Sequence, residues 1–308
     1  MISPAPARNV DARDGRFAPS PTGPLHLGSL RTALVAWLFA RSRSARFLVR
    51  IEDLDPQRSR REFERSQLDD LRAIGLDWDE TPVRQSERRP SYEDAIVRLE
   101  AQGRLYPCFC TRAEIREAAS APHGELPEGS YPGTCRGLSE AERERRRAAG
   151  HAFALRVRAE GARIEFDDEM RGRCGGLVDD FVVRRADGVP AYQLAVVVDD
   201  AAQEVGEIVR GDDLIGSTPR QILLARLLGL PLPRYAHVPL VFGADGTRLA
   251  KRGRPPALSD RSEPPAATLA LLAHTLGLAL GRDEVRRPAE LLAEFDPGRL
   301  PGEPSVLG

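Results

Sequence analysis

Leu27, Leu30, Leu34 and Leu38 recur at the spacing of one helix face, and a short apolar segment stands on each side of them. Residues 16–18 read as a strand running into the turn Pro19-Ser-Pro-Thr-Gly23, the leucine pattern predicts a helix over 26–43, and 46–52 reads as a second strand. Strand, helix and strand within 37 residues form a βαβ unit. Such a unit forces the two strands to be parallel and puts a ligand site at their carboxyl ends. The expected fold class is therefore α/β, a Rossmann-like doubly wound parallel sheet, with Ser20 to Thr22 and Glu52-Asp53 along its functional edge.

Helical patterns continue over 60–74 and 92–102, after which 106–137 is turn-rich and holds three of the four cysteines. Strands are predicted at 153–157, 163–166 and 181–184. The apolar run 192–198 reads as a strand covered on both faces. Residues 218–228 read as a helix with Thr218 as N-cap and Pro219 at its first position. Further helices are predicted over 266–280 and 289–295. This divides the chain into a disordered tail (1–15), a first half of the catalytic domain (16–104), an insertion (105–190), a second half (191–260) and a short helical C-terminal region (261–308). No apolar run approaches the roughly 18 residues of a membrane span, and the first fifteen residues lack the apolar core of a signal peptide, so a cytoplasmic protein without a membrane partner is expected. With a formal net charge of −1, any polyanion must be met by local arginine clusters such as Arg58, Arg60, Arg61 and Arg65, or Arg143, Arg145, Arg146 and Arg147. Taken alone, each cluster reads as a solvated helix face interleaved with glutamate.

The string Arg16-Phe-Ala-Pro-Ser-Pro-Thr-Gly-Pro-Leu-His-Leu-Gly28 joins a strand end, a turn, a histidine and a glycine at a helix N-terminus, where free N–H groups and the helix dipole favour phosphate. A lone His-x-Gly would be only a capped turn. Together with Arg50-Ile-Glu-Asp-Leu-Asp-Pro-Gln-Arg58, Tyr192 to Asp200, Val209-Arg-Gly-Asp212 and Ser217-Thr-Pro-Arg-Gln221, however, the string resembles the glutamyl branch of class I aminoacyl-tRNA synthetases over about residues 16–260. His26-Leu-Gly-Ser29 then stands at that family's HIGH motif and Arg248-Leu-Ala-Lys-Arg252 at its KMSKS loop. Lys251 is the single lysine of the chain. A compact ammonium on a flexible stem can follow a phosphate through a reaction in a way the planar arginine fork does not. Arg248 and Ala250 depart from the loop's usual lysine and serine.

The resemblance implies attack of an amino-acid carboxylate on the α-phosphate of ATP carried with Mg²⁺, with His26, Gly28 and Lys251 as the catalytic and ATP-binding residues. It implies an L-glutamate pocket built from Arg16, Ala18, Ser20, Glu52, Tyr192 and Arg210, with Glu52 on the ammonium. Clustered thiols in a reducing compartment suggest zinc, with three cysteines near one another and His123 as a chemically usual further ligand. A similar C-x-C…Y-x₃-C arrangement in glutamyl-queuosine tRNA(Asp) synthetases implies one structural Zn²⁺ on Cys108, Cys110, Tyr131 and Cys135, within an insertion that also carries an acceptor-type subdomain. Cys174 lies apart and reads as a small apolar residue.

Only 57 residues follow Lys251, too few for a helical anticodon-binding domain, so none is expected. This too resembles the queuosine-directed family. Its expected partners are glutamate, ATP and tRNA(Asp) bearing queuosine, and a monomer is expected. Gly206 and Glu207 depart from the family's more usual Thr-His pair. The alternatives are a truncated glutamyl-tRNA synthetase charging a tRNA 3′ end, and a non-catalytic tRNA-binding paralogue, the latter motivated by Arg248 and Ala250.

Overall fold

The computed structural model describes residues 13–111, 113–115, 130–243, 257–278 and 285–307. His123, Arg248, Ala250, Lys251 and residues 1–12 of the expected tail lie outside them. The first crossover consists of β1 (Gly15–Phe17), α1 (Leu27–Ser42) and β2 (Phe47–Ile51), with β1 and β2 parallel and Arg16 opposite Leu48. Next come α2 (Arg61–Ala73), β3 (Val83–Arg84), α3 (Arg89–Ala101) and β4 (Leu105–Cys108). They are followed by α4 (Glu140–Ala148), β5 (Ala154–Val157), the hairpin β6 (Arg163–Asp168) and β7 (Gly172–Leu177), and β8 (Val182–Arg184). The described chain is completed by α5 (Tyr192–Ala202), β9 (Glu207–Gly211), α6 (Thr218–Leu228), β10 (Arg234–Val238), β11 (Val241–Gly243), α7 (Pro265–Thr275) and β12 (Ser305–Leu307).

The main sheet has the order β3-β2-β1-β9-β10-β6-β7 and is parallel except for the β6–β7 hairpin. The chain winds outward from β1 through β2 on one side and returns to β9 on the other, so a topological switch point lies at β1, where open α/β sheets bind ligands. One core packs α1 and α7 around Phe47, Val49 and Val209, and a second packs α3, α5 and α6 around Leu48, Ile208 and Tyr235. Leu48 and Val49 are neighbours on β2 yet belong to different cores, as the alternating pleat requires. No helix among the described residues is long and apolar enough to cross a membrane.

Several expectations need correction. The apolar run at 192–198 is the front of helix α5, not a strand. Its Leu194 to Val197 stretch is buried in the core shared with helices α3 and α6, and so short an apolar run does not by itself separate the two structures. The expected insertion 105–190 divides: β4, β5 and β8 form a separate antiparallel sheet, whereas β6 and β7 extend the main one. Ser217 occupies the cap position of α6, with Thr218 inside the helix. The predicted helix 289–295 is a single 3-10 turn at Pro288–Leu291, and the one before it spans Pro265–Thr275. Gly206 and Glu207 stand at the amino end of β9, away from the ligand edge, where Glu207 is bonded to Arg43.

The C-terminal segment is tied to the ligand edge by Arg31, which is 1% exposed. It donates to the Pro239 carbonyl at 2.9 Å, to Thr275 Oγ1 at 3.0 Å and the Thr275 carbonyl at 3.4 Å, and to Ser305 Oγ at 3.5 Å. Burial lowers its pKa to about 10, against the pull of Asp212. Replacing this fork leaves buried acceptors without donors, at a cost of roughly 1–3 kcal/mol. Arg31→Met is therefore expected to lower the urea midpoint by the equivalent of about 2 kcal/mol with an unchanged denaturant slope.

Candidate active site

A cavity of about 250 Å³ opens at the carboxyl ends of β1, β2 and β9, lined among others by Arg16, Ala18, His26, Gly28, Glu52, Tyr192 and Arg210. Residues far apart in the chain thus converge at the switch point. Ser20 is the exception among the residues expected on the glutamate: it is exposed on the neighbouring turn and does not line the cavity. Lys251 lies outside the described residues, but the segments on either side of it reach the site. Val241 lines the cavity, and Ala257 makes an isolated bridge with His26.

His26 caps α1. Its Nδ1 accepts from the Ser29 backbone N–H at 3.1 Å, so the neutral ring carries its proton on Nε2, 2.9 Å from Ser29 Oγ. Burial lowers its pKa, against Asp213, and keeps the ring neutral at pH 7. Gly28 lets the ring lie close: a Cβ there would lie 3.1 Å from His26 Nδ1 and 3.2 Å from Cε1, tight enough that the capping ring would have to shift.

Beneath the cavity lies a buried charge network. Asp200 receives Arg16 through Nε at 3.1 Å and Nη2 at 3.3 Å, and Arg50 Nη1 at 2.7 Å. Burial would raise the Asp200 pKa, but Arg16 and Arg50 outweigh it and hold the carboxyl below its usual value. Asp199 is bound by Gln85 at 2.9 Å, Tyr92 at 2.7 Å and Arg88 at 2.5 Å. The helical geometry of α5 permits this, because adjacent residues in a strand would point to opposite faces. Asp199 and Asp200 stood in the matched string, but only the helix reveals that both turn inward.

Glu52 lies 3.5 Å from Arg50 Nη2, and burial raises its pKa although Arg50 and Arg16 oppose the shift. Arg210 is 5% exposed, donates from Nε to His237 Nε2 at 3.0 Å and from Nη2 to Thr218 Oγ1 at 2.8 Å, and has no hydrogen-bond partner at Nη1. No described carboxylate pairs with it. The cavity therefore holds a buried cation lacking an anion beside a carboxylate whose charge burial disfavours. Of the residues that support Arg210, Thr218 stood in a matched string, whereas His237 and Asp168 carried no motif signal in the sequence.

In the smaller sheet region, Cys108, Cys110 and Cys135 bring their sulfurs within 4.8 Å of one another. The Tyr131 hydroxyl lies 3.4 Å from Cys108 Sγ and 3.8 Å from Cys110 Sγ, while Cys110 and Cys135 are 3.5 Å apart. Tetrahedral coordination with metal–sulfur bonds of about 2.3 Å separates ligand sulfurs by about 3.8 Å, so this donor set has the spacing to hold a metal ion. Without a cation, burial, followed by the bond to Cys135 and the charge of Cys108, pushes the Cys110 thiol up to about 12.

The model of the family "tRNA synthetases class I (E and Q), catalytic domain" matches residues 14–295. The fold is thus that of a class I synthetase catalytic domain, a class that uses ATP with Mg²⁺. A glutamyl-Q tRNA(Asp) synthetase from Nocardia farcinica is 60% identical over 296 residues, covering 95% of this chain and 92% of that protein. One from Symbiobacterium thermophilum is 50% identical over 305 residues, with 94% of each covered. The chain belongs to the glutamyl-Q tRNA(Asp) synthetase family. Among solved structures, a glutamate tRNA ligase from Elizabethkingia meningosepticum, crystallised in complex with its amino acid, superposes with a TM-score of 0.81 at 25% identity. The match covers 97% of this chain and 67% of that one.

Gly28→Ala tests the packing at the head of α1. Displacing His26 from its cap is expected to lower ATP-dependent turnover about 10-fold or more while costing only about 1 kcal/mol in stability. Steady-state kinetics alongside thermal unfolding would separate the two effects.

Proposed function

We propose that this protein activates L-glutamate with ATP without needing tRNA, forming glutamyl-adenylate and pyrophosphate, and then transfers the glutamate to the queuosine base at the wobble position of tRNA(Asp). The observation that carries this reading is Arg210, a buried guanidinium facing the cavity without a carboxylate. Leaving it unpaired is costly, and a substrate carboxylate relieves that cost. Glu52 complements it: an ammonium drawn beside its oxygens favours the ionised carboxyl that burial disfavours. Two carboxylates and one ammonium on a short chain suit a cavity of about 250 Å³ lined by Arg210, whose charge is unmatched, by Arg16, whose charge is already shared with Asp200, and by Glu52. The names of the relatives, the match to a glutamate ligase and the motif strings support the same substrate.

The substrate carboxylate is itself the nucleophile, so the site needs no nucleophilic side chain. Its work is to align a carboxylate oxygen with the α-phosphorus and to offset charge as pyrophosphate leaves. The α1 N-terminus, kept open by Gly28 and capped by neutral His26, offers backbone N–H groups to phosphate. The role of Lys251 on the phosphates rests on the sequence resemblance. Mg²⁺ bound to ATP neutralises phosphate charge. Losing one such donor typically costs about 2.7–4 kcal/mol of barrier.

Zinc suits the thiol cluster, because soft thiolates with one phenol oxygen form a closed four-ligand site with no position left for chemistry. Arg156 stacks 3.7 Å over the Tyr131 ring, placing a positive charge beside a ligand set that carries excess negative charge. Its role is structural: it ties Cys108 at the end of β4 to the turn bearing Tyr131 and Cys135. Metal analysis should return about one zinc per chain. A Cys135→Ser chain retaining full occupancy would refute the assignment.

The reaction is tested by glutamate-dependent exchange of pyrophosphate into ATP, with and without tRNA, followed by transfer of labelled glutamate. Exchange should proceed without tRNA, and label should reach tRNA(Asp) containing queuosine and remain there after the 3′-terminal adenosine is removed. Exchange that requires tRNA, or label lost with the 3′ end, would favour a 3′-charging enzyme. Absence of exchange would favour a binding protein.

A further inference from the structure

Arg210 is held by a neutral histidine, not by an acid. His237 follows Tyr235 and Ala236 on β10, and the parallel register sets it directly opposite Arg210 on β9. The ring is fully buried, with its plane within 12° of that of Tyr235. Its Nδ1 lies 2.5 Å from Asp168 Oδ2, and its backbone N–H donates to Asp168 Oδ1 at 3.1 Å. That carboxylate also accepts from the backbone N–H groups of Met170 and Arg171, both at 3.0 Å, so it is anchored independently of the ring.

Proton bookkeeping fixes the tautomer. Arg210 Nε always carries hydrogen, and so does its Nη2. Nε2 of His237, 3.0 Å from Arg210 Nε, can only accept, and the Thr218 hydroxyl that accepts from Nη2 can give its own proton to the same ring nitrogen at 3.2 Å. The ring proton therefore sits on Nδ1, facing Asp168. A doubly protonated ring would set donor against donor. Burial, with Arg210 adding to it, holds the His237 pKa below its usual value although Asp168 opposes the shift. Arg16 offers the contrast: it meets Asp200 directly through two nitrogens, so its charge is matched within the protein.

We infer that Asp168 and His237 are positioning residues of the substrate site: Asp168 selects the Nδ1–H tautomer, His237 presents a neutral acceptor that orients Arg210, and one imidazole's width keeps the Asp168 charge from neutralising the guanidinium reserved for a substrate carboxylate. The inference rests on the reading of the cavity as a glutamate site. It identifies the feature that separates Arg210 from Arg16: a fixed geometry with an unspent charge. Sequence spacing offers no hint of it, since 69 residues separate Asp168 from His237 and 27 separate His237 from Arg210.

The test uses the full chain in pyrophosphate exchange, with glutamate and ATP varied separately. Asp168→Asn and His237→Leu are expected to raise the KM for glutamate about 10-fold or more, leaving that for ATP within about threefold, and His237→Gln, which restores a neutral acceptor, should recover most of the loss. His237→Glu, which brings an anion against Arg210, should be as damaging as His237→Leu. Parallel changes in both KM values, or no rescue by glutamine, would overturn the positioning role. Should the leucine variant fail to fold, nitrogen-15 spectra of the native protein decide: the chain has five histidines, and one, assigned by its loss in His237→Gln, should be protonated at Nδ1 and bare at Nε2. An Nε2–H tautomer would overturn the proposal. Native enzyme that performs no glutamate-dependent exchange would refute the glutamate reading instead, leaving the tautomer measurement as the separate judge of the relay.

Discussion

The Asp200 carboxylate, shared by two buried guanidiniums, is the interaction on which the site depends. Arg16 comes from β1, Arg50 from β2 and Asp200 from α5, so one anion fastens the first crossover to the second half of the fold. Removing one partner of a buried ion pair strands the other at a cost of about 3–5 kcal/mol. Such a network gives little net stability, but it specifies one arrangement. Glu52 and Arg210 stand at its upper edge, where the protein's own charges run short, and the proposed substrate, with its carboxylates and ammonium, would complement both.

The same physics governs the thiol cluster. Three sulfurs and a phenol packed within a few ångströms repel one another as soon as they ionise; burial makes ionisation of Cys110 and Tyr131 harder still, whereas at Cys108 the Tyr131 hydroxyl and Arg156 outweigh burial and lower the pKa. In the proposed reading, both the cavity and the cluster are preorganised regions whose electrostatics a substrate and a metal ion would complete. The fold tolerates this because each sits at a junction with secure neighbours: the cavity at the switch point of a parallel sheet, and the cluster against a three-stranded antiparallel sheet with Tyr106, Tyr131 and two of the cysteines in one small core.

Much of this was legible in the sequence. The leucine period gave α1 to within a residue at each end, and turn chemistry marked the helix N-terminus with His26 and Gly28, whereas Arg16 and Ala18 were picked out only through the family resemblance of the string. The helix α5 was misread as a strand, since its run of consecutive buried apolar residues, Leu194 to Val197, shows no helical period over so short a stretch. That error also concealed why Asp199 and Asp200 can both turn inward. Ser20 belongs to the matched string, yet its side chain faces solvent, for a position in a string does not fix a direction in space. Asp168 and His237 were invisible for a different reason. They come from strands brought together only by the sheet order, and no local pattern records which residues a parallel register sets side by side. The Gly206-Glu207 departure proves remote from the cavity, at the opposite end of the same strand.

A crystal structure of the protein with glutamate bound tests the central claim most directly. A substrate carboxylate oxygen should lie within hydrogen-bond distance of Arg210 Nη1, with the ammonium beside Glu52 and Arg16 still seated on Asp200. Glutamate held elsewhere, or bound in this cavity with Arg210 Nη1 still unpartnered, would contradict it.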